Sequence, residues 1–555
     1  MEKTCLQCTA VFEITKEDLV FYEKVSPIIA GKTYPIPPPT LCPDCRLQRR
    51  LCWRSETKLY HRKYDKTGKQ IISMYSQDKP HKVYAQEEWW GDGWDPFDYG
   101  KSFDSTRPFF EQFGELILQV PRPSLICEQS ENCNYCHNTT FSKNSYLCFA
   151  ALEIENCYYD YILVKCRDAI DCLSVSGSEL CYQCINSRQC YRCSDVQNAI
   201  NCRDCTFCFD CTGCKNCIGC VGLRQKEFHV FNAPVSKDEF EKMRRSLDSH
   251  TAYEALRKKF GQLKIGLPHR ASFQVSCEDC TGDHIFHSRR CLSCFEIEDC
   301  EDIAYSHNTN KFKDSMDVFG AMMGGELQYD NIAAGGGVHV MFSYLSWHNS
   351  DSYYLNYCHN SRDLFGCIGL RQKQYCILNT QYTKEEYEQL LPKIIQHMQK
   401  TGEWGQFLPV ALSPIGYNES NAYSFYPLTR DECLARGWKW NDEDDSREKY
   451  LGPSERIPDS IADVTDDICQ KILICEATGK PYKIIPQELA FYRTMAIPIP
   501  RKCPDQRHKE RMTRRNPRKL WKRTCAKCSK EIQTTYAPNR PEKIYCEECY
   551  LKEVY

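Results

Sequence analysis

The sequence predicts a multi-domain, mainly β protein in which a duplicated central β-solenoid with helical caps is flanked by two related cysteine-rich modules. Three observations predict this fold class. Long segments of the chain repeat at fixed offsets, central cysteines recur in a three-residue phase, and paired Cys-x2-Cys motifs occur near both termini. Repeats of this kind indicate supersecondary units that stack on one another.

The composition is that of a folded chain with several domains. At 555 residues the protein is too long for a single hydrophobic core. Hydrophobic residues make up 42% and aromatic residues 12% of the chain, which argues against disorder. No apolar stretch reaches the ~18 residues that a membrane span needs, and the net charge of -2 favours neither nucleic acid nor membrane as a whole-chain partner.

The chain contains 39 cysteines, an odd number. Residues 1–8 contain no apolar signal core, so we expect a cytoplasmic location. Disulfides are rare in that reducing compartment. The cysteines should then be metal ligands or small buried apolar side chains.

The two ends of the chain are copies of one module. Residues 42–90 align without a gap with residues 503–551 at an offset of 461. The alignment continues upstream, where Cys5 corresponds to Cys475. We therefore predict related terminal modules. Their expected bounds are 1–90 and 466–555.

The central region is also duplicated. Cys220-Val-Gly-Leu-Arg-Gln-Lys matches Cys367-Ile-Gly-Leu-Arg-Gln-Lys at an offset of 147. Each copy then enters a capping-box sequence, which starts at Ser236 in one and at Thr383 in the other. This predicts cap helices near 236–260 and 383–400.

The duplication divides the rest of the chain. We expect two solenoid units, over 127–265 and 266–400. The connecting segments are 91–126, with a short helix near 107–118, and 401–465, to which the sequence assigns no chemistry.

Each end holds two Cys-x2-Cys knuckles. Two thiolates in one tight turn can reach the same ion, and two such knuckles complete the tetrahedron that zinc prefers. The sequence therefore predicts two structural zinc ions and no catalytic residue. The expected ligands are Cys5, Cys8, Cys42 and Cys45 at one end, and Cys525, Cys528, Cys546 and Cys549 at the other.

The surroundings of these knuckles resemble known zinc modules. Cys42-Pro-Asp-Cys45 leads into an amphipathic helix, as in a treble clef. The segment from Cys525 to Tyr550 is similar to a bacterial zinc-ribbon family. The whole pattern resembles uncharacterised bacterial cysteine-rich zinc-ribbon proteins, a resemblance that implies zinc binding and supplies no activity.

Each terminal module has lost one of two ancestral ligand sets. The N-terminal copy has Tyr64, Thr67, Ala85 and Glu88 where the C-terminal copy has its four ligands. The C-terminal copy has Thr478 and Gln506 at the positions of Cys8 and Cys45. Because the surrounding pattern survives these losses, we expect zinc to serve folding. A four-thiolate site also leaves no open position for a substrate.

Between Cys127 and Cys220 there are 18 cysteines, and every gap between them is a multiple of three. Neither a helix nor a strand has this period, so we predict short solenoid rungs whose length is a multiple of three. Asn and Asp beside the cysteines are expected in the turns.

The second solenoid unit favours packing over metal storage as the role of these thiols. Ser352 and Leu355 replace Cys205 and Cys208, and neither could replace a thiolate ligand. Cys291, Cys294 and Cys300 have slipped from the phase by one residue. Thiol metal storage remains the alternative. A weaker metal candidate is Cys277-x2-Cys280-x3-His284-x2-His287.

A basic helix is predicted after each Cys-Pro-Asp. It could bind phosphates, with RNA favoured over DNA, or it could pair with acidic segments of the chain. The candidate nucleic-acid-binding residues are Arg46, Arg49, Arg50, Arg54, Arg507, Arg511, Arg514, Arg515 and Lys519.

The first functional hypothesis is a non-catalytic zinc-binding scaffold with an unidentified macromolecular partner, protein or RNA. The alternative is nucleic-acid binding through the basic helices. A polysaccharide-active solenoid enzyme is a third possibility, for which Asp314, Asp317, Glu326 and Asp330 are the available carboxylates.

Overall fold

The structure is a computed structural model that describes residues 1–176, 184–185, 194–442, 452 and 455–555. The predicted ladder positions Cys181, Cys190 and Cys193 lie outside these ranges. The chain forms two compact units, and each combines distant parts of the sequence. Unit 1 contains residues 1–125 and 273–442, and unit 2 contains residues 126–272 and 443–555.

The N-terminal part of unit 1 consists of short hairpins and helices. The predicted helix near 107–118 is present over Phe109–Gln119. The elements are β1 (Glu2–Thr4), β2 (Val11–Glu13), α1 (Lys16–Lys24), β3 (Ile28–Ile29), β4 (Lys32–Thr33), α2 (Pro43–Leu51), β5 (Tyr60–Lys63), β6 (Gln70–Ser73), β7 (Val83–Tyr84), α3 (Gln86–Trp90), α4 (Phe109–Gln119) and β8 (Arg122–Pro123).

The next part belongs to unit 2 and is a series of short parallel strands, here called the first ladder (β9–β17). The predicted cap helix is two helices, α5 and α6. The elements are β9 (Cys127–Glu128), β10 (His137–Thr140), β11 (Phe149–Leu152), β12 (Tyr161–Val164), β13 (Leu173–Ser176), β14 (Arg203–Thr206), β15 (Lys215–Ile218), β16 (Glu227–Val230), β17 (Ala233–Pro234), α5 (Lys237–Arg245), α6 (His250–Gly266) and β18 (His269–Arg270).

The second ladder (β19–β32) belongs to unit 1 and ends in the predicted cap helix, α7. Its elements are β19 (Gln274–Val275), β20 (Gly282–Phe286), β21 (Arg289–Leu292), β22 (Cys294–Glu298), β23 (Glu301–Ala304), β24 (His307–Asn310), β25 (Phe312–Phe319), β26 (Gly325–Glu326), β27 (Tyr329–Ile332), β28 (Gly337–Met341), β29 (Ser350–Tyr353), β30 (Arg362–Phe365), β31 (Gln374–Ile377), β32 (Thr380–Gln381) and α7 (Lys384–Thr401).

The remaining elements include the C-terminal copy of the terminal module. The first two belong to unit 1 and the others to unit 2. They are α8 (Asn421–Phe425), α9 (Arg430–Ala435), β33 (Leu473–Ile474), β34 (Pro481–Tyr482), α10 (Pro486–Met495), α11 (Pro504–Thr513), β35 (Trp521–Thr524), β36 (Glu531–Thr534), β37 (Ile544–Tyr545) and α12 (Glu547–Val554).

Both sequence duplications are duplications of structure. Strands β14, β15 and β16 recur as β29, β30 and β31 at the offset of 147. Strands β5, β6 and β7 recur as β35, β36 and β37 at the offset of 461. Each copy of the terminal module belongs to the same compact unit as one ladder: the N-terminal copy with the second ladder, and the C-terminal copy with the first.

The first ladder has a constant repeat. Neighbouring strands pair in parallel register from β9 to β13 and from β14 to β16, as His137 does with Phe149 and Arg203 with Lys215. Side chains bridge the same interval: the Ser142 N–H donates to Ser130 Oγ at 3.0 Å, across a sequence separation of 12. The length of one repeat is thus a multiple of three, as the cysteine spacing predicts.

The second ladder keeps this repeat but departs from it twice. Val275 pairs with Phe286, which is one position closer in the sequence than the regular repeat. Phe312 pairs with Gly325, which is one position farther. The first departure explains why Cys291, Cys294 and Cys300 leave the three-residue phase, and the second explains why the later cysteines return to it.

Each repeat contains four tripeptides, because every third residue turns the chain. The predicted turn residues Asn201, Asp204, Asp210 and Asn216 have φ of 51°, 50°, 47° and 51°. Asn and Asp tolerate this left-handed conformation better than other non-glycine residues. The three-residue phase therefore reflects the turns.

The residue after each turn points inward and is buried, as at Cys202, Cys205 and Cys208. Backbone groups also point inward and need hydrogen-bond partners. Cys202 Sγ contacts the carbonyls of Ile200 and Cys211 at 3.6 and 3.4 Å. The interior therefore favours small side chains that can donate to carbonyl oxygens, and a thiol meets both requirements.

In the second ladder, inward-pointing serine and asparagine side chains also form hydrogen bonds with the backbone. Ser352 Oγ donates to the Ser350 carbonyl at 2.7 Å and accepts from the Leu364 N–H at 3.1 Å. Asn349 accepts from the Ser361 N–H at 3.1 Å. Cys205, which corresponds to Ser352, contacts the Arg203 carbonyl at 3.3 Å, so the exchange of cysteine for serine keeps the contact with the carbonyl two residues earlier.

Candidate metal centres and the buried arginine helices

The predicted ligands at the N-terminus converge. The Sγ atoms of Cys5, Cys8, Cys42 and Cys45 all lie within 4.8 Å of one another, and three of these residues are buried while Cys8 is exposed. Cys8 Sγ and Cys42 Sγ are 3.7 Å apart. Four Zn–S bonds of about 2.3 Å in a tetrahedron place the sulfurs ~3.8 Å apart. The thiols therefore fit a zinc ion.

Two elements position this site. The β1–β2 hairpin supplies the first knuckle, whose turn is closed by the Thr9 N–H donating to the Cys5 carbonyl at 3.0 Å. Cys42 is the N-cap of α2, and Cys45 lies in the first turn of that helix. The Cys42 N–H also donates to Cys5 Sγ at 3.3 Å, which stabilises a thiolate.

The C-terminal site has the same plan. The four ligand atoms of Cys525, Cys528, Cys546 and Cys549 lie within 4.8 Å of one another. Cys528 Sγ and Cys546 Sγ are 3.7 Å apart. The β35–β36 hairpin holds the first pair, and Cys546 is the N-cap of α12. This set fits a zinc ion as well as the first does.

In each set one thiol has a lowered pKa, while the neighbouring thiols and burial raise the pKa of Cys45 at one site and of Cys549, to about 12, at the other. The Cys45 thiol beside Cys42 lowers the pKa of Cys42 to about 5. Burial opposes ionisation of Cys525, but donation from the backbone N–H groups of Cys546, Cys528 and Lys527 lowers its pKa to about 6. A thiolate is the form that binds metal.

The N-terminal copy has the same backbone turn at the positions that correspond to the C-terminal ligands. The Tyr64 N–H donates to the Lys69 carbonyl at 2.8 Å, as the Cys525 N–H does to Lys530 at 2.8 Å. Tyr64 packs edge-on against Tyr84 with ring centroids 5.9 Å apart, and Lys66 pairs with Glu88. Aromatic packing and an ion pair therefore stand in place of the four thiols.

The C-terminal copy has two thiols at the positions that correspond to the N-terminal ligands. Cys475 and Cys503 are buried, and Thr478 Oγ1 lies 3.9 Å from Cys503 Sγ. Within the described residues, Cys475 and Cys503 belong to no group of three or more converging ligand atoms. These two cysteines are packed side chains in this structure.

The described ladder thiols form no such group either. None of the 36 described cysteines is in a disulfide. Of the weak candidate Cys277, Cys280, His284 and His287, only His287 enters a converging group, with Glu298 and Asp299, and it is exposed. The geometry of the described ladder favours packing over metal storage.

The first basic helix is buried against carboxylates of the second ladder. Arg46 Nε donates to Asp317 at 2.7 Å, and Arg50 donates to both Asp317 and Asp330 at 3.0 and 2.7 Å. Arg49 also pairs with Asp330. The Arg50 and Asp317 side chains are 0% exposed. The basic stripe of α2 is therefore an internal ion-pair network.

The second basic helix repeats this arrangement in the first ladder. Arg507 Nε lies 2.6 Å from Asp171, and Arg511 Nη1 lies 3.1 Å from the same carboxylate. Arg507 also contacts Glu488 at 3.3 Å, and Arg514 pairs with Asp195. Arg507 and Arg511 lie one helical turn apart, as Arg46 and Arg50 do, and each of these pairs shares one ladder carboxylate.

These contacts bear on two of the functional hypotheses. Of the predicted phosphate-binding residues, Arg54 is buried and pairs with Glu56, Arg515 is half-buried, and Lys519 is exposed. Asp317 and Asp330, which the enzyme hypothesis would need, are neutralised by arginines. Asp314 pairs with Lys24 at 2.8 Å. Nucleic-acid binding remains a prediction, for which most of these arginines are not accessible in this structure.

No protein-family model, no curated protein and no solved structure matches the chain. Among the described residues, no helix combines the length and the apolar character needed to cross a membrane.

Proposed function

We propose that the protein is a non-catalytic scaffold in which two structural zinc ions brace two β-solenoids. The observation that carries the proposal is the convergence of four thiols at each end, with Sγ–Sγ separations of 3.7 Å in both sets. That spacing is the edge of a zinc–thiolate tetrahedron.

The ligand sets favour a structural rather than a catalytic ion. Four thiolates fill the coordination sphere, so a water or substrate would have to displace one of them. Backbone N–H groups donate to the sulfurs, as at Cys42 and Cys5, and such second contacts fix the orientation of the ligands.

The zinc would act on the attachment of each terminal module to its ladder. Cys42 and Cys45 lie at the start of α2, and Arg46, Arg49 and Arg50 follow directly on the same helix. Fixing the first turn of α2 therefore fixes the guanidinium groups that bind Asp317 and Asp330. We propose that the ion and the buried ion pairs stabilise the same helix.

The ladders are proposed to be solenoids in which each rung is one repeat of four tripeptides. The constant parallel register and the regular turns support this. The terminal modules are proposed to be treble-clef and zinc-ribbon modules, because a knuckle hairpin and a helix N-terminus supply the ligands. The many free thiols favour a cytoplasmic, reducing location.

A scaffold needs a macromolecular partner, and the exposed face of the first ladder favours a protein over RNA. Charges of opposite sign face each other from one repeat to the next: Lys143 pairs with Glu131 at 3.5 Å and Arg167 pairs with Glu155 at 3.0 Å. In these pairs the positive charges are offset by neighbouring carboxylates, which weakens their attraction for a phosphate backbone.

Metal analysis of the purified protein tests the proposal. We expect two zinc ions per chain, one in Cys8→Ser and one in Cys528→Ser, with two retained in the control Cys475→Ser. Five or more ions would favour thiol storage instead. A chain without zinc would contradict the proposal.

A further inference from the structure

One arginine in unit 1 is buried without a counter-ion. Arg122 is 1% exposed, and its Nε and Nη2 atoms have no hydrogen-bond partner among the described residues. Within the described residues, its Nη1 atom donates to the Tyr75 hydroxyl alone, at 3.4 Å. No carboxylate in the described part of the chain pairs with it. An arginine stays charged, and a buried charge without a partner strongly destabilises a fold.

The surroundings of Arg122 are aromatic and cationic. Its guanidinium lies 5.9 Å from the ring centre of Tyr75 and 5.8 Å from that of Tyr357. His81 packs edge-on against Tyr75 with ring centroids 4.8 Å apart, and its Nε2 atom is buried with no partner among the described residues. The rings partly balance the charge of Arg122, but they contribute no anion.

The cationic field also acts on His81. Burial and the charges of Arg122, Arg62, Lys439 and Lys79 lower its pKa to about 2. Arg62 has its own carboxylate, Asp65, at 3.1 Å, and Lys79 has Glu419 at 3.1 Å. His81 is therefore surrounded by several positive charges. Among them, the charge of Arg122 is buried and has no carboxylate partner within the described residues.

The region of unit 2 that corresponds to the surroundings of Arg122 contains carboxylates. At the offset of 461, His81 corresponds to Glu542, and at the offset of 147, Tyr357 corresponds to Asp210. Glu542 pairs with Arg540, and Asp210 pairs with Arg224 at 3.2 Å.

The position of Arg122 also differs between the copies. The parallel pairing of Val83 with Arg122 recurs as the pairing of Ile544 with His269. His269 has a partner on each ring nitrogen, the Tyr536 hydroxyl and the Lys264 carbonyl, both at 2.9 Å. Unit 1 thus has an arginine where unit 2 has a satisfied histidine, and has His81 and Tyr357 where unit 2 has two carboxylates.

We propose that Arg122 and His81 form a binding site for a small oxyanion in the interior of unit 1. The unpartnered Nε and Nη2 atoms lie on one edge of the guanidinium, and this edge binds two oxygens of one carboxylate or phosphate group. His81 Nε2 supplies a third polar contact. Because Arg122, His81, Tyr75 and Tyr357 are all at most 2% exposed, the ligand is a free anion of few atoms, or one that becomes enclosed as unit 1 folds.

Two measurements on the full-length protein test the site. In the first, thermal unfolding is followed at constant ionic strength while chloride is replaced by formate in one arm and by inorganic phosphate in the other. We expect a saturable rise in the unfolding midpoint by about 5 °C at 100 times the dissociation constant. The arm with the lower half-saturating concentration distinguishes a carboxylate from a phosphate.

The second measurement is ion chromatography of the supernatant after acid denaturation of extensively dialysed protein. It detects an oxyanion that co-purifies too tightly to be titrated. About one equivalent per chain is the expected result if the titration shows no change. Failure of both measurements on the wild-type protein overturns the proposal.

Variants separate the site from general salt effects. His81→Glu copies the residue of unit 2 and supplies an internal carboxylate, so it should abolish the anion dependence and the bound equivalent. Arg122→Met should do the same. The control Arg224→Met removes a buried arginine that has a carboxylate partner and should keep both. An equal anion effect in His81→Glu and wild type would overturn the proposal, since stabilisation by excluded salts needs no site.

Discussion

Arg50 donates to Asp330 at 2.7 Å and to Asp317 at 3.0 Å, and all three side chains are 0% exposed. The arginine follows a zinc knuckle in the N-terminal module, and the aspartates lie in the second ladder at sequence separations of 280 and 267. A helix that looks cationic in the sequence is therefore neutralised inside unit 1. In unit 2, Arg507 and Arg511 of the second basic helix are likewise neutralised by Asp171.

Asp317→Asn should be strongly destabilising. It removes one carboxylate from two arginines that stay buried, and breaking such a pair costs about 3–5 kcal/mol. Urea unfolding of the zinc-loaded protein measures the change. Asp314→Asn is the matched control, because its partner Lys24 is 47% exposed, and an exposed pair contributes up to ~1 kcal/mol. Equal losses in the two variants would contradict the role assigned to burial.

Removal of zinc should loosen the terminal modules before the ladders unfold. A chelator removes the ion that holds the start of α2, while the ladder hydrogen bonds do not involve the thiol sites. Limited proteolysis is expected to cut first within residues 1–60 and 500–555 in the metal-free protein, and readdition of zinc should protect them. Cleavage confined to the ladders would count against zinc as the brace.

The knuckle turns predict an effect of glycine on the metal-free protein. The fifth residue of each retained knuckle has a left-handed φ, 61° at both Thr9 and Ser529, whereas both lost knuckles have glycine there, Gly68 and Gly479. A non-glycine residue pays about 1 kcal/mol or more in this conformation. Thr9→Gly and Ser529→Gly should therefore raise the stability of the metal-free protein.

The converse change supplies the control for this prediction. Gly479→Ala should destabilise by ~1 kcal/mol, since φ at this position is 69°. Thermal unfolding in a chelator measures all three variants. Loss of stability in both glycine variants would show that the turn is not strained.

Interior cysteines should tolerate serine better than valine. Cys358 Sγ contacts the Cys367 carbonyl at 3.2 Å and the Asn356 carbonyl, two residues earlier, at 3.8 Å. Ser352 Oγ likewise donates to the carbonyl two residues earlier, at 2.7 Å. Cys358→Ser keeps a donor, so we expect a change below about 1 kcal/mol, whereas Cys358→Val leaves a buried carbonyl with one donor fewer, which costs about 1–3 kcal/mol. Chemical denaturation compares them. A serine variant less stable than the valine variant would refute the donor role.

Asp160 predicts a pH dependence. It is buried inside the first ladder, where its Oδ1 accepts from the Cys172 N–H at 2.6 Å and its Oδ2 has no partner among the described residues. Burial raises the pKa of Asp160 well above its usual value, with Asp171 adding to the shift and Arg511 opposing it. The folded state therefore favours the protonated acid.

The sign of the effect follows from the raised pKa. The contribution to stability is fully present below the unfolded pKa of about 3.9 and is lost as the pH rises through the folded pKa. Asp160→Asn keeps the acceptor and cannot ionise, so it should be more stable than wild type at pH 7, with a difference that shrinks towards pH 4. Stability curves from pH 4 to 8 measure this, and parallel curves would contradict it.

Much of the architecture could be predicted from local patterns. The knuckle spacing identified both thiol sets, since two Cys-x2-Cys turns have few other uses, and the capping boxes placed the starts of α5 and α7. The sequence offsets of 461 and 147 correctly relate β5–β7 to β35–β37 and β14–β16 to β29–β31. The length of the ladder repeat could not be predicted, because the cysteine spacing shows only the tripeptide and not how many tripeptides complete one repeat.

The roles of the charged residues were harder to predict. A row such as Arg46, Arg50 and Arg54 looks the same whether it faces solvent or a carboxylate, and nothing in the spacing marks Asp317 or Asp330 as the partners. Arg122 gave no signal in the sequence, because its isolation depends on the absence of a carboxylate from several distant segments.

The sequence by itself determined the two thiol sites, the duplications and the three-residue turns, because each depends on residues that are close in the chain or repeat at a fixed interval. Only the tertiary structure decided which ladder each terminal module joins and whether its arginines are buried. Those outcomes depend on pairing charges across hundreds of residues, and a buried charge is stable only beside the partner that the fold brings to it.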